Sequence, residues 1–276
     1  LSLDDEVQKF LPAMKSVPVP PGSKPITFRL LATHTGGLAV EPDLPNAAAG
    51  PIATWEEKIA ESIPTIKFIA NPGERYSYSN IGYGILGLAV SKAAGRPFMD
   101  LMKEYIFEPS GMKSSTFILT PFIEAHLAVG FGNEQQGPVG PEKPALEHAG
   151  RGYKVPNGGV YSCVDDLSRF AMSQMGLIRL PSFQKEDLTM IQTPHASSNP
   201  NSSYGLGFSI SKDSLGFTFI GHGGSVSGYT AHLVFDPKTQ IAVTILRNYN
   251  RGTTNLRQVT HTLLRELIQA SPEERK

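Results

Sequence analysis

The chain has 276 residues, which is enough for one large domain or two interlocked lobes. Its 25 basic and 25 acidic residues cancel, so nucleic acid and anionic membrane surfaces are not expected as partners. No apolar run approaches the ~20 residues of a membrane span. The single cysteine, Cys163, excludes an internal disulfide and leaves the cellular compartment unknown.

The first half of the chain is predicted to be mostly helical. Gly36-Gly37 would end an early helix, and the histidine just before them, His34, is interpreted as a capping or core residue. Thr54-Trp55-Glu56-Glu57 has the pattern of a capping box. A long loop is expected over residues 130–158. The predicted helices are residues 4–10, 26–32, 54–62, a segment beginning at Ile81 and a segment from Phe98 to Tyr105.

A polar cluster stands at the centre of this half. The turn residues Asn71-Pro72-Gly73 are followed by two tyrosines, two serines and an asparagine in residues 76–80. The apolar run beginning at Ile81 comes directly afterwards. Because a rigid turn and a buried helix start flank the cluster, its side chains would be held in place, as a reactive centre requires.

Beyond residue 200 the apolar period changes from helical to alternating. A helix is predicted from Ser162 to Met175, followed by strands around Phe208, Phe219 and Val243. Asp236-Pro237-Lys238-Thr239 predicts a hairpin turn, and a closing amphipathic helix covers residues 256–267. Helices followed by an antiparallel meander predict an α+β fold with two lobes, residues 1–155 and 156–276.

A second polar motif, Gly221-His222-Gly223-Gly224-Ser225, is predicted at the end of the strand that contains Phe219. Glycines at a strand end let a ligand approach the backbone. A histidine beside exposed N–H groups would suit binding of an acyl substrate or of an oxyanion. An ordinary glycine-rich turn explains the same residues equally well.

The two motifs resemble the second and third motifs of the serine β-lactamase and penicillin-binding-protein superfamily. They are Tyr78-Ser79-Asn80 after Pro72-Gly73, and His222-Gly223-Gly224 on a late strand. The similarity is greatest to the class C β-lactamase-related branch, which includes esterases, D-amino-acid peptidases and transacylases. It covers nearly the whole chain, because further segments resemble that family in its order: residues 1–5, 31–37, 108–112, 158–162 and 204–207.

The resemblance implies an antiparallel sheet flanked by helices, a mostly helical lobe, and an acyl-enzyme mechanism on an ester, amide or β-lactam bond. Tyr78 would share the proton transfer with a lysine, and Asn80 would bind the substrate amide and steady that lysine. His222 stands where many relatives have lysine, which favours esters and peptides over carboxylate-bearing β-lactams. The Ser225 N–H would form half of the oxyanion hole, and Gly223 and Gly224 would bind substrate.

The expected nucleophile of that family, the serine of a Ser-x-x-Lys motif upstream of the tyrosine motif, is not found. The three such spacings present, Ser110–Lys113, Ser182–Lys185 and Ser209–Lys212, all lie downstream. We therefore expect a truncated, inactive chain that lacks the nucleophile helix and the first strands. Its open sheet edge would favour self-association.

A non-catalytic ligand-binding or assembly protein on the same fold is the alternative. The glycines of Gly82-Tyr83-Gly84-Ile85-Leu86-Gly87 follow a polar turn instead of a strand, so a dinucleotide site is rejected. No G-x-S-x-G elbow and no metal-ligand cluster is found, so neither a cofactor nor a metal is expected.

Overall fold

The computed structural model describes residues 1–132 and 140–270, which form two compact units. Unit 1 contains Leu1–Lys103, Glu147–Val160 and Thr193–Gly207, and unit 2 contains Glu104–Leu146, Tyr161–Gln192 and Phe208–Lys276. The chain crosses between the units several times, whereas the predicted ranges 1–155 and 156–276 divide it once. As a description of folding domains, those ranges stay a prediction.

The α-helices and strands of the described residues are numbered here in chain order. The helices are α1 Phe28–Ala32, α2 Trp55–Ser62, α3 Asn80–Ala94, α4 Phe98–Met102, α5 Glu108–Ser110, α6 Pro121–His126, α7 Glu142–Glu147, α8 Val155–Gly158, α9 Val164–Gln174, α10 Lys185–Ile191 and α11 Leu256–Ala270. The strands are β1 Ala196–Asn199, β2 Ser202–Tyr204, β3 Ser209–Lys212, β4 Thr218–Val226, β5 Tyr229–Asp236 and β6 Ile241–Arg247. None of these helices has the length and apolarity that crossing a bilayer needs.

Unit 1 is built around α3. The Ser79 hydroxyl caps this helix by accepting the Gly82 N–H at 3.0 Å, and Gly95 ends it in the left-handed region at φ 63°. The helix predicted to begin at Ile81 is confirmed, and four apolar residues on one of its faces are buried: Ile81, Ile85, Leu88 and Ala89. The only tryptophan of the chain, Trp55 in α2, is also buried in this unit, where its ring packs against Phe98.

The glycines of α3 allow other backbone segments to approach the helix closely. A Cβ at Gly84 would lie 3.0 Å from the Tyr153 carbonyl oxygen, and one at Gly87 would collide with the Pro156 ring. Tyr153 and Val155 are buried, so packing against α3 orders this part of the chain. The expected loop over residues 130–158 is therefore wrong where it is described, because α7 and α8 lie within it; residues 133–139 are outside the described part.

Other local predictions also need correction. The first helix is a 3₁₀ turn, Val7–Lys9, instead of a helix over residues 4–10. The capping box at α2 does not form, because the Thr54 hydroxyl donates to the Pro51 carbonyl instead. The strand expected around Leu206 and Phe208 is split into β2 and β3, with Gly207 at φ 92° between them.

Unit 2 contains an antiparallel meander of β3, β4, β5 and β6, in which each strand pairs with the next. One face packs against Ala171 of α9 through Phe208, Ile210, Ile220, Leu233 and Phe235. The other face packs against Leu264 of α11 through Phe219 and Val234. Such alternating burial is what period-two patterning predicts for a central antiparallel strand.

The predicted hairpin turn is confirmed between β5 and β6. The Asp236 carboxylate accepts the Thr239 hydroxyl at 2.8 Å, which fixes the turn. The closing amphipathic helix is confirmed as α11, although not all of its leucines are buried. Leu264 is fully buried, whereas Leu263 and Leu267 are exposed.

Candidate active site

The Tyr78-Ser79-Asn80 motif lies against the segment that follows α1. The Ser79 hydroxyl donates to the Ala39 carbonyl at 2.7 Å, and the Asn80 N–H donates to the Val40 carbonyl at 2.9 Å. The preceding turn is confirmed, with Gly73 at φ 83°. Tyr78 itself is 37% exposed, although the serines on both sides of it are buried. The motif therefore combines a fixed backbone with a phenol that solvent can reach.

His34 occupies the centre of this arrangement. It lies just after α1 in the left-handed region at φ 55°, with 3% of its surface exposed. Its carbonyl accepts the Ser77 N–H at 2.7 Å, and its Nδ1 accepts the Ser79 N–H at 3.1 Å. Of the two predicted roles, capping or core residue, the core role is thus confirmed, since the C-cap residue of α1 is Thr33. Four tyrosine rings surround the imidazole, with centroids 4.2 Å to 5.8 Å away: Tyr76, Tyr78, Tyr83 and Tyr204.

Asn80 is held by a carboxylate that the sequence did not single out. Its Nδ2 donates to Glu41 Oε1 at 2.7 Å, and Lys154 Nζ contacts the same oxygen at 3.2 Å. The amide is therefore oriented by a charged pair and not left to rotate freely.

The phenol of Tyr78 is protonated at neutral pH. Burial raises its pKa above the ordinary value, and the nearby Glu41 carboxylate raises it further. Burial likewise raises the pKa of Tyr76 to about 12. Within the described residues this environment makes Tyr78 a hydrogen-bond donor. To act as a base it would need a cation placed against its oxygen.

The second motif is built into the middle of β4. The prediction placed it at a strand end, which is wrong: Gly223, Gly224 and Ser225 pair with His232, Ala231 and Thr230 of β5. On the other side, the described ladder between β3 and β4 stops at Ser209 and Gly221. Beyond that point Gly223, Gly224 and Ser225 are exposed. A strand paired along one edge and exposed beyond its other partner presents backbone N–H and C=O groups to a ligand.

His222 is only partly exposed and is neutral at physiological pH. Burial lowers the pKa of its imidazole, the Gly223 carbonyl bonded to Nδ1 at 2.7 Å opposes that shift, and Arg257 adds to it. The resemblance implies that His222 replaces a lysine of many relatives. The lowered pKa means that this position carries even less positive charge than an ordinary histidine would.

None of the three Ser-x-x-Lys pairs has the geometry of an activated nucleophile. Ser110 is buried, its hydroxyl has no hydrogen-bond partner among the described residues, and Lys113 is exposed. Ser182 and Lys185 are both exposed. Ser209 and Lys212 lie three positions apart on β3 and so point to opposite faces, as predicted.

Sequence reasoning missed Glu41 and Lys154 and undervalued His34. Glu41 and Lys154 are separated by more than a hundred positions, and neither belongs to a motif, so no local pattern connects them. The placement of His34 after a helix gave the one available signal. The described residues also contain no group of three or more side chains set to hold a metal ion.

An antiparallel sheet between two helices, a helix capped by the serine of Tyr-Ser-Asn and a glycine-rich inner strand are the features implied by the resemblance to serine β-lactamases and penicillin-binding proteins. The sequence model of the Beta-lactamase family matches residues 1–265, and the chain belongs to that family. Its members include serine β-lactamases and carboxypeptidases.

Curated relatives are longer than this chain. D-alanyl-D-alanine-carboxypeptidase/endopeptidase AmpH of Escherichia coli (strain K12) is 33% identical over 172 residues, which cover 62% of this chain and 41% of that protein. Beta-lactamase-like protein 4 of Dictyostelium discoideum is 29% identical over 252 residues, 85% of this chain and 43% of that protein. The chain spans less than half the length of these two relatives.

Solved structures agree on the fold. An octameric penicillin-binding protein homologue from Pyrococcus abyssi superposes with a TM-score of 0.77 at 25% identity, covering 99% of this chain and 62% of that one. A class C beta-lactamase mutant gives a TM-score of 0.75 at 20% identity, covering 96% of this chain and 76% of that one. The expected fold class is therefore confirmed, as an α+β fold with an antiparallel sheet and helices.

Proposed function

We propose a serine hydrolase function for this protein, in which an acyl group is transferred from an ester, amide or β-lactam bond through an acyl-enzyme. The observation that carries the proposal is the Tyr78 phenol, which is held protonated and reachable by solvent beside the anchored Asn80 amide. In this proposal Tyr78 donates or relays a proton, and Asn80 binds the substrate amide. The family and the carboxypeptidase relative support this reaction class.

The roles proposed for β4 are those of a backbone receptor. Ser225 would supply an N–H to the developing oxyanion, and Gly223 and Gly224 would let the substrate backbone approach. His222 is neutral at physiological pH and would contribute a hydrogen bond without a permanent positive charge. The proposed substrates are therefore esters and peptides whose binding does not depend on a carboxylate.

We propose that none of the serines in the three Ser-x-x-Lys pairs of the chain is the nucleophile of this reaction. Ser110 has no base within hydrogen-bond reach among the described residues, and the other two pairs are exposed or face apart. We accordingly expect the 276-residue chain alone to form no acyl-enzyme.

The test is intact-protein mass spectrometry after incubation with a fluorescent penicillin and, separately, with a p-nitrophenyl ester. No stoichiometric adduct is expected. An adduct located by peptide mapping on any serine of the chain would overturn the assignment of the nucleophile. The gene sequence upstream of the Tyr-Ser-Asn motif gives a second test. An in-frame Ser-x-x-Lys there supports the enzyme, and its absence supports a non-catalytic relative.

The alternative, a ligand-binding or assembly protein, is favoured by the end of the meander. β6 pairs with β5 along one edge, and its described pairings include no strand on the other. Such an edge can accept a strand from another copy, and the homologue from Pyrococcus abyssi is octameric. Sedimentation equilibrium should then show concentration-dependent dimers that Leu246→Lys on β6 weakens and Leu215→Lys, between β3 and β4, does not. Equal effects of both exposed leucines would reject the edge contact.

A further inference from the structure

His34 accepts hydrogen bonds from the backbone on both sides of Tyr78. The Ser77 N–H donates to the His34 carbonyl at 2.7 Å, and the Ser79 N–H donates to His34 Nδ1 at 3.1 Å. Because these two donors flank Tyr78 directly, the position of its Cα is fixed from His34. The motif thus depends on a residue more than forty positions earlier in the chain.

The same residue also contacts the side chain of Tyr78. The imidazole and the phenol ring have centroids 4.2 Å apart and planes inclined by 38°. On its other sides the imidazole meets Tyr83 at 4.7 Å and Tyr204 at 4.8 Å, so it cannot turn away. Tyr83 is itself fixed, since its hydroxyl donates to the Ala32 carbonyl at 2.6 Å.

The tautomer of His34 follows from these contacts. Nδ1 accepts the Ser79 N–H, so it carries a lone pair, and the neutral ring bears its proton on Nε2. Protonation of Nδ1 would break this bond and place a cation against the phenol. A neutral imidazole with a fixed tautomer is better suited to supporting the Tyr78 phenol than to exchanging a proton with it.

The backbone of His34 adopts a conformation that few non-glycine residues take. Its φ of 55° lies in the left-handed region, which histidine enters more readily than most side chains but still at a cost in free energy. Glycine would relieve the strain at this helix end, but it would supply neither the ring against Tyr78 nor the Nδ1 acceptor. Strain of this kind persists where the surrounding structure needs the side chain.

We infer that His34 is the positioning residue for Tyr78: its ring and backbone fix the rotamer and the depth of the phenol. This role rests on the function proposed above, in which that phenol handles the proton. His34 acts through Tyr78 and is not assigned any contact with substrate.

The test measures the phenol directly and needs no substrate. The chain is labelled with ¹³Cζ-tyrosine, the Tyr78 resonance is assigned with Tyr78→Phe, and its titration is followed by NMR. His34→Asn keeps tolerance of positive φ and an oxygen acceptor for the Ser79 N–H but removes the ring. We expect its Tyr78 titration midpoint to move down toward the ordinary value of ~10, because the imidazole no longer shields one side of the phenol from water.

Two further variants separate positioning from general stability. His34→Phe restores a ring, so the Tyr78 midpoint should return toward that of the unmodified chain. Thr33→Val removes the neighbouring buried hydroxyl, which bonds Arg29 and Thr35 and has no described contact with Tyr78. It should lower thermal stability and leave the Tyr78 midpoint unchanged.

An unchanged Tyr78 midpoint in His34→Asn would overturn the inference, and so would an equal shift in Thr33→Val. If His34→Phe fails to fold, the comparison of His34→Asn with Thr33→Val decides alone. Failure of the proposed function appears elsewhere, in the acyl-enzyme and coding-sequence tests, so the two outcomes are distinguishable.

Discussion

The two motifs hold their functional groups in place in opposite ways. Tyr78-Ser79-Asn80 in unit 1 offers side chains, which are fixed by a helix cap, a strained histidine and an acid–amide contact. His222-Gly223-Gly224 in unit 2 offers mainly backbone groups. Pairing with β5 fixes this backbone, and because glycine has no side chain the backbone stays exposed. Side-chain chemistry needs dense packing around it, whereas backbone chemistry needs packing on one edge and open space on the other.

The largest expected effect tests which glycines of β4 serve the fold. A Cβ at Gly221 would overlap the Leu233 carbonyl oxygen, whereas one at Gly224 meets nothing within 4 Å. Gly221→Ala should therefore cost about 3 kcal/mol of the free energy of unfolding, because backbone must move. Gly224→Ala, its matched control, should cost less than about 0.5 kcal/mol in urea denaturation. Equal costs would mean that the open glycine is also structural.

Acid should weaken unit 2 through a pair of histidines between the sheet and α11. Burial lowers the pKa of His232 and of His261 to about 4, and nearby charges contribute to both shifts. His232 Nδ1 bonds the Thr260 hydroxyl at 2.7 Å, and His261 stacks on Phe219 at 4.3 Å. The charged and titratable groups acting on the pair are His222, Arg257, Arg265 and Asp213.

Because both folded pKa values lie below the ordinary 6.5, the unfolded chain binds more protons between these limits. Stability is complete above pH ~6.5 and is lost as the pH falls toward ~4, by about 2 kcal/mol after allowance for solvent screening. Amide hydrogen exchange should show the loss in β5 and α11. His261→Gln should reduce the slope, and the exposed control His126→Gln should not. A steeper slope in His261→Gln would contradict this account.

The smallest expected effect concerns the acid beside the first motif. Glu41→Gln keeps an oxygen acceptor for Asn80 but removes the negative charge that raises the pKa of Tyr78. The Tyr78 titration midpoint should fall slightly, and the free energy of unfolding should change by about 0.5 kcal/mol or less, as for an exposed ion pair. Glu57→Gln, at an exposed position of α2, is the control. A rise of the Tyr78 midpoint in Glu41→Gln would show that the carboxylate acts otherwise.

Local patterns predicted the elements that local chemistry determines. The apolar positions of α3, the Asn71-Pro72-Gly73 turn and the Asp236 hairpin were all readable, because each depends on residues within one or two turns of chain. The extent of β4 was not, since its glycines are held as a strand by Thr230, Ala231 and His232 of β5, and no propensity reveals that pairing.

The first motif shows the same limit within a site. Tyr78 and Asn80 were identified by resemblance to a family, but Glu41, Lys154 and the role of His34 depend on contacts distant along the chain. The direction of the Tyr78 pKa shift depends on burial, which composition and spacing do not report. A motif therefore locates the candidate groups, and the fold decides their protonation.

The placement of Trp55 gives unit 1 an optical signal of its own. It is the only indole of the chain, and it is buried in unit 1 against Phe98. Tryptophan emission therefore follows the melting of unit 1, whereas far-ultraviolet circular dichroism follows both units. Coincident midpoints are the result expected if the whole chain unfolds in one cooperative transition, and a gap between the midpoints would show that the two units unfold separately with different stabilities.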